Sequence, residues 1–373
     1  MSISSTQHQI IIGEAAQKMA ELKDHSVDLV VTSPPYPMIE MWDDIMANIN
    51  PAIGDDLRQG DGAAAFERMH QSLDAIWEQT YRVLKPGGFA CINIGDATRT
   101  INEQFALYAN HSRIISAFIQ LGFANMPNIL WRKQTNAPNK FMGSGMLPAG
   151  AYVTLEHEWI LVFRKAGKRT FKSEAEKQLR RESAFFWEER NTWFSDLWDL
   201  KGVKQKITNS GSRDRSAAYP FELPYRLINM YSVKGDTVLD PFLGTGTTAL
   251  AAMATERNSV GIDIDSAFLP IIAASINEAA PLQLNQYIRH RIEAHKTFLQ
   301  LRALDDKKSP IKHFNEALNL PVMTSQEIEI RLHYVDGVKQ QSSTCYEVTY
   351  RGGEKAAHFE APKRRGLQEV LPF

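Results

Sequence analysis

The stretch GDTVLDPFLGTGTTALAA, Gly235 to Ala252, holds an apolar run ending on Asp240, a loop with two glycines, and a helix opening at Thr247. Glycines there let backbone approach a ligand closely, and a helix start offers free N–H groups and the positive end of its dipole. The arrangement suits a nucleotide-like ligand that carries a carboxylate. Asp263, twenty-three residues past Asp240, ends the next strand in SVGIDID. An acid at that point of a βαβ unit can hold both ribose hydroxyls.

The loop is neither the GxGxxG of dinucleotide sites nor a Walker loop with its lysine, so phosphate binding is disfavoured. S-adenosylmethionine, which joins adenosine to a methionine zwitterion and has no phosphate, fits better. Working outward, Val27, Leu29, Val30 and Val31 form an apolar strand of the kind buried on both faces of a parallel sheet. It runs into Thr32-Ser33-Pro34-Pro35-Tyr36, where two prolines end the ladder and hold the backbone rigid. Helical spacing over Ala63 to Leu84, closed by Lys85-Pro86-Gly87-Gly88, leads to a buried strand at Phe89 to Ile94. A helix is expected over about 105–121, with strands at Asn128 to Arg132 and Glu158 to Phe163. Further strands are expected at Thr237 to Asp240 and Ser259 to Ile264, with a helix between them at Thr247 to Ala254. Strands alternating with helices indicate an α/β sheet with crossover connections. After Leu282 a helix (Leu284 to Leu301), a polar linker and a hairpin over Glu327 to Tyr334 and Thr344 to Tyr350 suggest a small carboxyl-terminal appendage.

With 373 residues, 43% of them hydrophobic, the chain can bury a full core. It has no run of eighteen apolar residues and no secretory pattern at Met1 to Gln9, so a cytoplasmic protein with no membrane span is expected. Cys91 and Cys345 give neither a disulfide framework nor zinc spacing. A net charge of −1 excludes a general attraction to nucleic acid, so any polyanion must meet a local patch. Arg164 to Arg215 is the candidate, with fourteen Lys and Arg against eight Asp and Glu. It interrupts the strand–helix rhythm as an inserted module, and its tryptophans, Trp187, Trp193 and Trp198, serve either DNA or a small local core.

Together, DPFLGTGTT and TSPPY resemble the motifs of the amino-group DNA methyltransferases. Their order, with SPPY before the cofactor loop and the basic insert between them, resembles the beta class. The resemblance runs over about 10–280 and includes RVLKPGG, NIGD at Asn93 to Asp96, EHEWILVFRK and FELPYRLI. It implies a Rossmann-like S-adenosylmethionine-dependent methyltransferase sheet, divided into a catalytic half (1–165), a target-recognition insert (166–216), a cofactor-binding half (217–281) and the appendage (282–373). It also implies double-stranded DNA as substrate and, as a separate partner, a cognate restriction endonuclease; oligomeric state stays open.

Site roles follow from the resemblance, residue by residue. Ser33 Oγ and the Pro34 carbonyl are expected to accept the target amine's protons, Pro35 to add rigidity, and Tyr36 to stack on a flipped base. Asp263 is expected to hold the ribose. Asp240, Phe242, Gly244, Thr245, Gly246 and Thr247 are expected to surround the methionine part. Phe221 and Leu223 are expected to line the site from the other side, and Glu14 to contact the adenine. An exocyclic amine is a poor nucleophile because its lone pair is delocalised into the ring, and acceptors aimed at its protons localise that pair. The chain has no Pro-Cys dipeptide, which disfavours cytosine carbon-5 chemistry and its thiolate, and no metal is needed. Ser-Pro-Pro-Tyr is associated in the family mainly with cytosine N4. The alternatives are adenine N6 and, further off, RNA or a protein glutamine.

Overall fold

Val27–Thr32, the apolar run ahead of Ser33, is buried at all six positions and forms a central strand of an eleven-stranded sheet. The computed structural model describes residues 3–133, 143–202, 219–279, 281–305, 307–353 and 355. The strands among them are β1 (Ser5–Ile12), β2 (Val27–Thr32), β3 (Leu84–Ile94), β4 (Ala97–Ile101), β5 (Gln104–Tyr108), β6 (Phe123–Asn125), β7 (Ile129–Arg132) and β8 (His157–Lys165). They continue with β9 (Leu197–Asp199), β10 (Thr237–Asp240), β11 (Asn258–Asp263), β12 (His313–Asn315), β13 (Leu320–Val322), β14 (His333–Ser342) and β15 (Cys345–Gly352). The α-helices are α1 (Ala15–Ala20), α2 (Asp43–Ile49), α3 (Pro51–Gln59), α4 (Gly62–Val83), α5 (Asn110–Gln120) and α6 (Glu174–Glu182). They end with α7 (Trp187–Trp193), α8 (Glu222–Tyr231), α9 (Thr247–Ala254), α10 (Phe268–Ala279) and α11 (Leu282–Ala303). No described helix is long and apolar enough to cross a membrane.

The main sheet runs β14-β15-β1-β11-β10-β2-β3-β8-β7-β9, with β6 added beside β8. Its five middle strands, β1, β11, β10, β2 and β3, are mutually parallel, so their carboxyl ends meet at one edge. The crossover after β2 leads to β3 on one side, and the crossover after β10 leads to β11 on the other. Adjacent strands whose crossovers diverge leave a crevice between them, the usual ligand position in open α/β sheets. Ser33 and the Gly244 loop both leave the sheet at this crevice.

Two apolar layers cover the sheet. Val30, Met69, Trp77, Ile92 and Phe118 belong to the layer that packs α1 to α5, while Leu29, Val31, Leu227, Ala252 and Ile276 belong to the layer that packs α8 to α10. Within β2 the single acid, Asp28, is buried; it accepts from Lys85 Nζ at 2.8 Å and from Thr237 N at 3.0 Å. Gly87, between the α4 helix and the apolar part of β3, has φ +83°, and a Cβ there would sit 2.5 Å from the Arg169 backbone nitrogen. Lys85-Pro86-Gly87-Gly88 lies within β3, after the helix has ended at Val83, and its close approach to Arg169 seats the start of the basic segment.

Three expectations change. Residues 105–108, read as the start of a helix, form β5, paired with β4 across a turn at Asn102 and Glu103, both at positive φ. The first hairpin strand lies later than expected, at His333–Ser342, because Ser325–Glu327 forms a short 3-10 turn capped by Thr324. The hairpin also extends the main sheet, since β15 pairs with β1 and Val335, Tyr346 and Val348 are part of a main core layer.

The expected recognition insert is described to residue 202, and 203–216 lie outside the described residues. Its described part is tied to the fold: β9 pairs with β7, Trp193 and Trp198 enter the main core, and Phe186 packs with α11 residues in a third cluster. Part of its basic charge is held in ion pairs. Arg169 bonds Asp236 at 2.6 Å, and Arg181 bonds Glu174 at 2.8 Å and Glu329 at 3.1 Å.

Candidate active site

At the crevice between β2 and β10 lies a cleft of about 1080 Å³, counting its open mouth. Ser33, Pro34 and Pro35 come to it from β2, Phe242, Gly244, Thr245 and Thr247 from the loop after β10, Asp263 from β11, and Glu14 from the end of β1. Sequence-distant motifs converge here because parallel strands present their carboxyl ends together.

The Asp263 carboxylate accepts from Gly244 N at 2.8 Å and from Asp265 N at 2.9 Å, locking the glycine loop to the end of β11. Gly244 and Gly246 have φ of +53° and +87°, a region that costs other residues about 1–2 kcal/mol. Gly246 is the residue before α9, so this turn aims the helix start at the cleft. Glu14 caps α1, accepting from Ala16 N at 2.9 Å and Gln17 N at 2.8 Å.

Other expected site residues stand behind the wall. Asp240 is buried and accepts from Thr32 Oγ1 at 2.6 Å, Thr248 Oγ1 at 2.6 Å, Phe242 N at 3.1 Å and the Tyr219 hydroxyl at 3.3 Å. Burial pushes its carboxyl pKa up, against the pull of these donors. It joins β2, β10 and α9 and shapes the cleft without lining it. Leu223 is fully buried in the core, and Phe221 stacks on Tyr287 at 4.0 Å. From that segment it is Tyr219 that lines the cleft, its hydroxyl bonded to Thr248.

A polar cluster adjoins Ser33. Ser33 Oγ donates to the Tyr36 hydroxyl at 3.1 Å, and that hydroxyl donates to Glu158 Oε2 at 2.9 Å. Asn93 Nδ2 donates to the Tyr36 oxygen at 2.8 Å and to Glu158 Oε2 at 2.7 Å. Lys133 pairs with the other oxygen of Glu158. The Tyr36 ring fits against Gly95, where a Cβ would lie 3.0 Å from its edge. Burial, then the Glu158 charge, holds the Tyr36 pKa well above the ordinary range, so Tyr36 is a neutral hydroxyl. Asn93 Oδ1 is buried with no hydrogen-bond partner among the described residues.

Sequence reading passed over Asn93, Lys133 and Glu158 as site residues. The available signal was polarity beside apolar strands: Asn93 interrupts FACINI, and Glu158 directly precedes WILVF. Also unassigned was the run after Tyr36. Trp42, Ile45 and Ile49 line the cleft with apolar side chains, as do Ile264 and Phe268.

Known proteins resemble this chain over most of its length. The family model for N6/N4 methyltransferases, described as DNA methylase, matches residues 27–274. The chain is 50% identical over 348 residues to the type II methyltransferase M.MthZI of Methanothermobacter thermautotrophicus, covering 93% of this chain and 96% of that one. It is 51% identical over 288 residues to the type II methyltransferase M.MjaI of Methanocaldococcus jannaschii, covering 74% and 93%. Among solved structures it resembles a DNA modification methylase from Thermus thermophilus in complex with S-adenosyl-L-methionine. That match has 28% identity and a TM-score of 0.57 and covers 74% of this chain and 96% of that one. With the family's sequence pattern and its sheet both present, the chain belongs to the N6/N4 family of DNA methylases.

Proposed function

We propose that this DNA methyltransferase acts on the N4 amine of a cytosine flipped out of double-stranded DNA, as the modification half of a restriction system. S-adenosylmethionine is the methyl donor, and when bound it supplies an electrophilic methyl on a sulfonium. The cleft fits that cofactor: the Asp263 carboxylate suits ribose, the start of α9 with Gly244 to Thr247 suits a carboxylate, and Ile264 and Phe268 offer an apolar wall to adenine. Glu14, at the same edge, has an acceptor group for an adenine amine.

The observation that carries the reading is Ser33, held by two prolines beside the cofactor cleft with its proton directed to Tyr36. Its lone pairs and the Pro34 carbonyl are the acceptors that draw on the two amine protons and localise the nitrogen lone pair. Tyr36 offers its ring to the flipped base, while its hydroxyl is anchored by Glu158 and Asn93. A neutral serine, in place of an acid, suits the cytosine edge, where the ring nitrogen N3 lies next to the amine. The shared type II name of the two archaeal relatives supports a separately acting cognate endonuclease.

Purified protein, labelled S-adenosylmethionine and duplex DNA from a host lacking this gene test the assignment by nucleoside mass spectrometry. N4-methylcytosine is the expected product. N6-methyladenine alone would replace the cytosine reading with the adenine one, and transfer to RNA without transfer to DNA would overturn both.

A further inference from the structure

Ser33 accepts from an amine only when its own proton points elsewhere, and the cluster behind it decides where that proton points. An ionised carboxylate has no proton to give, so the Tyr36 O–H must be directed at Glu158 Oε2, at 2.9 Å. The Tyr36 oxygen is then left as an acceptor for Asn93 Nδ2 at 2.8 Å and for the Ser33 O–H at 3.1 Å. The direction of every donor in the chain follows from the charge at its far end. Lys133 on the second oxygen of Glu158, and Asn93 Nδ2 bridging Glu158 and Tyr36, hold that end in place.

We propose that Glu158 is a positioning residue that fixes this hydroxyl chain in the accepting direction and takes up, through Tyr36 and Ser33, the proton released when the amine is methylated. The proposal rests on the amino-methyl-transfer reading above and is independent of which base carries the amine. In the step, the amine nitrogen uses its lone pair to form the new N–C bond, and the old S–C bonding pair stays on sulfur. The amine proton passes to Ser33 Oγ, the Ser33 proton to the Tyr36 oxygen, and the Tyr36 proton to Glu158. A sulfonium and a carboxylate become a thioether and a carboxylic acid, so the site gains no net charge. Ser33 and Tyr36 end as neutral hydroxyls, and the next turnover requires only that Glu158 release its proton to solvent.

The test uses the full chain in single-turnover reactions with duplex DNA, alongside cofactor titration by calorimetry. Glu158→Gln keeps the shape but places a donor at the end of the chain. Its transfer rate is expected to fall about 10²- to 10³-fold, in the range for loss of positioned proton transfer, with cofactor affinity at the wild-type value. Glu158→Asp is expected to recover part of that loss. Tyr36→Phe cuts the same chain in the middle, so the double variant with Glu158→Gln is expected to be no slower than the slower single. A readout free of turnover is the infrared spectrum of the unliganded protein: the carboxylate band removed by Glu158→Gln is expected to shift in Tyr36→Phe. Multiplying losses in the double variant, or an unshifted band, overturns the chain. The product made by the wild type reports separately on the base, and N6-methyladenine would overturn the cytosine assignment while leaving the ratios among variants to decide the relay.

Discussion

On the proposed roles, Tyr36 serves the base and Asp263 the cofactor, so their substitution should separate the two halves of the reaction. Tyr36→Ala removes the face offered to the base, and base–aromatic stacking is worth about 1–3 kcal/mol. Turnover is expected to fall by about 5- to 150-fold on that basis, with little change in S-adenosylmethionine binding measured by calorimetry. Asp263→Ala removes a carboxylate that also holds Gly244 N. Hydrogen bonds to charged groups contribute about 1.5–3 kcal/mol, so cofactor affinity is expected to weaken by about tenfold or more. Equal effects of both substitutions on cofactor affinity would contradict the division of roles. That Ser33, Pro34 and Asp263 come together at the cleft was legible because strand ends, prolines and glycines leave local marks. Glu158 was not, since its partner Tyr36 lies 122 positions away and no local pattern links them.

At the scale of elements, β1 shows how a polar residue inside a sheet sets a pH limit. His8 is buried between β11 and the hairpin, with Nδ1 on Ser259 Oγ at 2.8 Å and Nε2 on Thr6 Oγ1 at 2.8 Å. Burial lowers its pKa from 6.5 to about 3. A folded-state pKa below the unfolded one means that its stabilising contribution is complete above about pH 6.5 and is lost as pH falls toward 3. Urea unfolding between pH 7 and pH 4 is therefore expected to show a smaller loss of stability in His8→Gln than in the wild type, and parallel curves would contradict this. The elements misread from sequence have equally local causes. The β4–β5 turn uses Asn102-Glu103 instead of the Asn-Gly that marks such hairpins. Ile330, Leu332 and Tyr334 alternate in burial as a strand would, yet Ile330 and Leu332 pack in the third core cluster before the paired strand β14 begins.

Over the whole molecule, the carboxyl-terminal region is structural to the catalytic fold. Helix α11 reaches the basic segment through Arg291, whose guanidinium bonds both Glu189 oxygens, at 2.5 and 2.8 Å, in a buried site. Removing one partner of such a pair leaves an uncompensated charge and costs about 3–5 kcal/mol. Arg291→Met is expected to lose that much in urea unfolding, and a loss below about 1 kcal/mol, the level of an exposed pair, would mean that solvent reaches the site. Within the basic segment, Arg169 and Arg181 are held in ion pairs and Trp193 and Trp198 are part of the main core, while Trp187 is exposed.

By itself the sequence determined the parallel α/β core, the glycine loop after β10 and the Ser-Pro-Pro-Tyr motif. Each depends on interactions within a few residues: apolar runs that must be buried, prolines that end strands, glycines that permit left-handed turns. Only the tertiary structure decided that Asp240 is a buried tie, that Trp42, Ile45 and Ile49 wall the cleft, that the hairpin joins the main sheet, and that Glu158 and Asn93 stand behind Tyr36. Those outcomes depend on which strands become neighbours, and strand order is set by packing across the whole sheet.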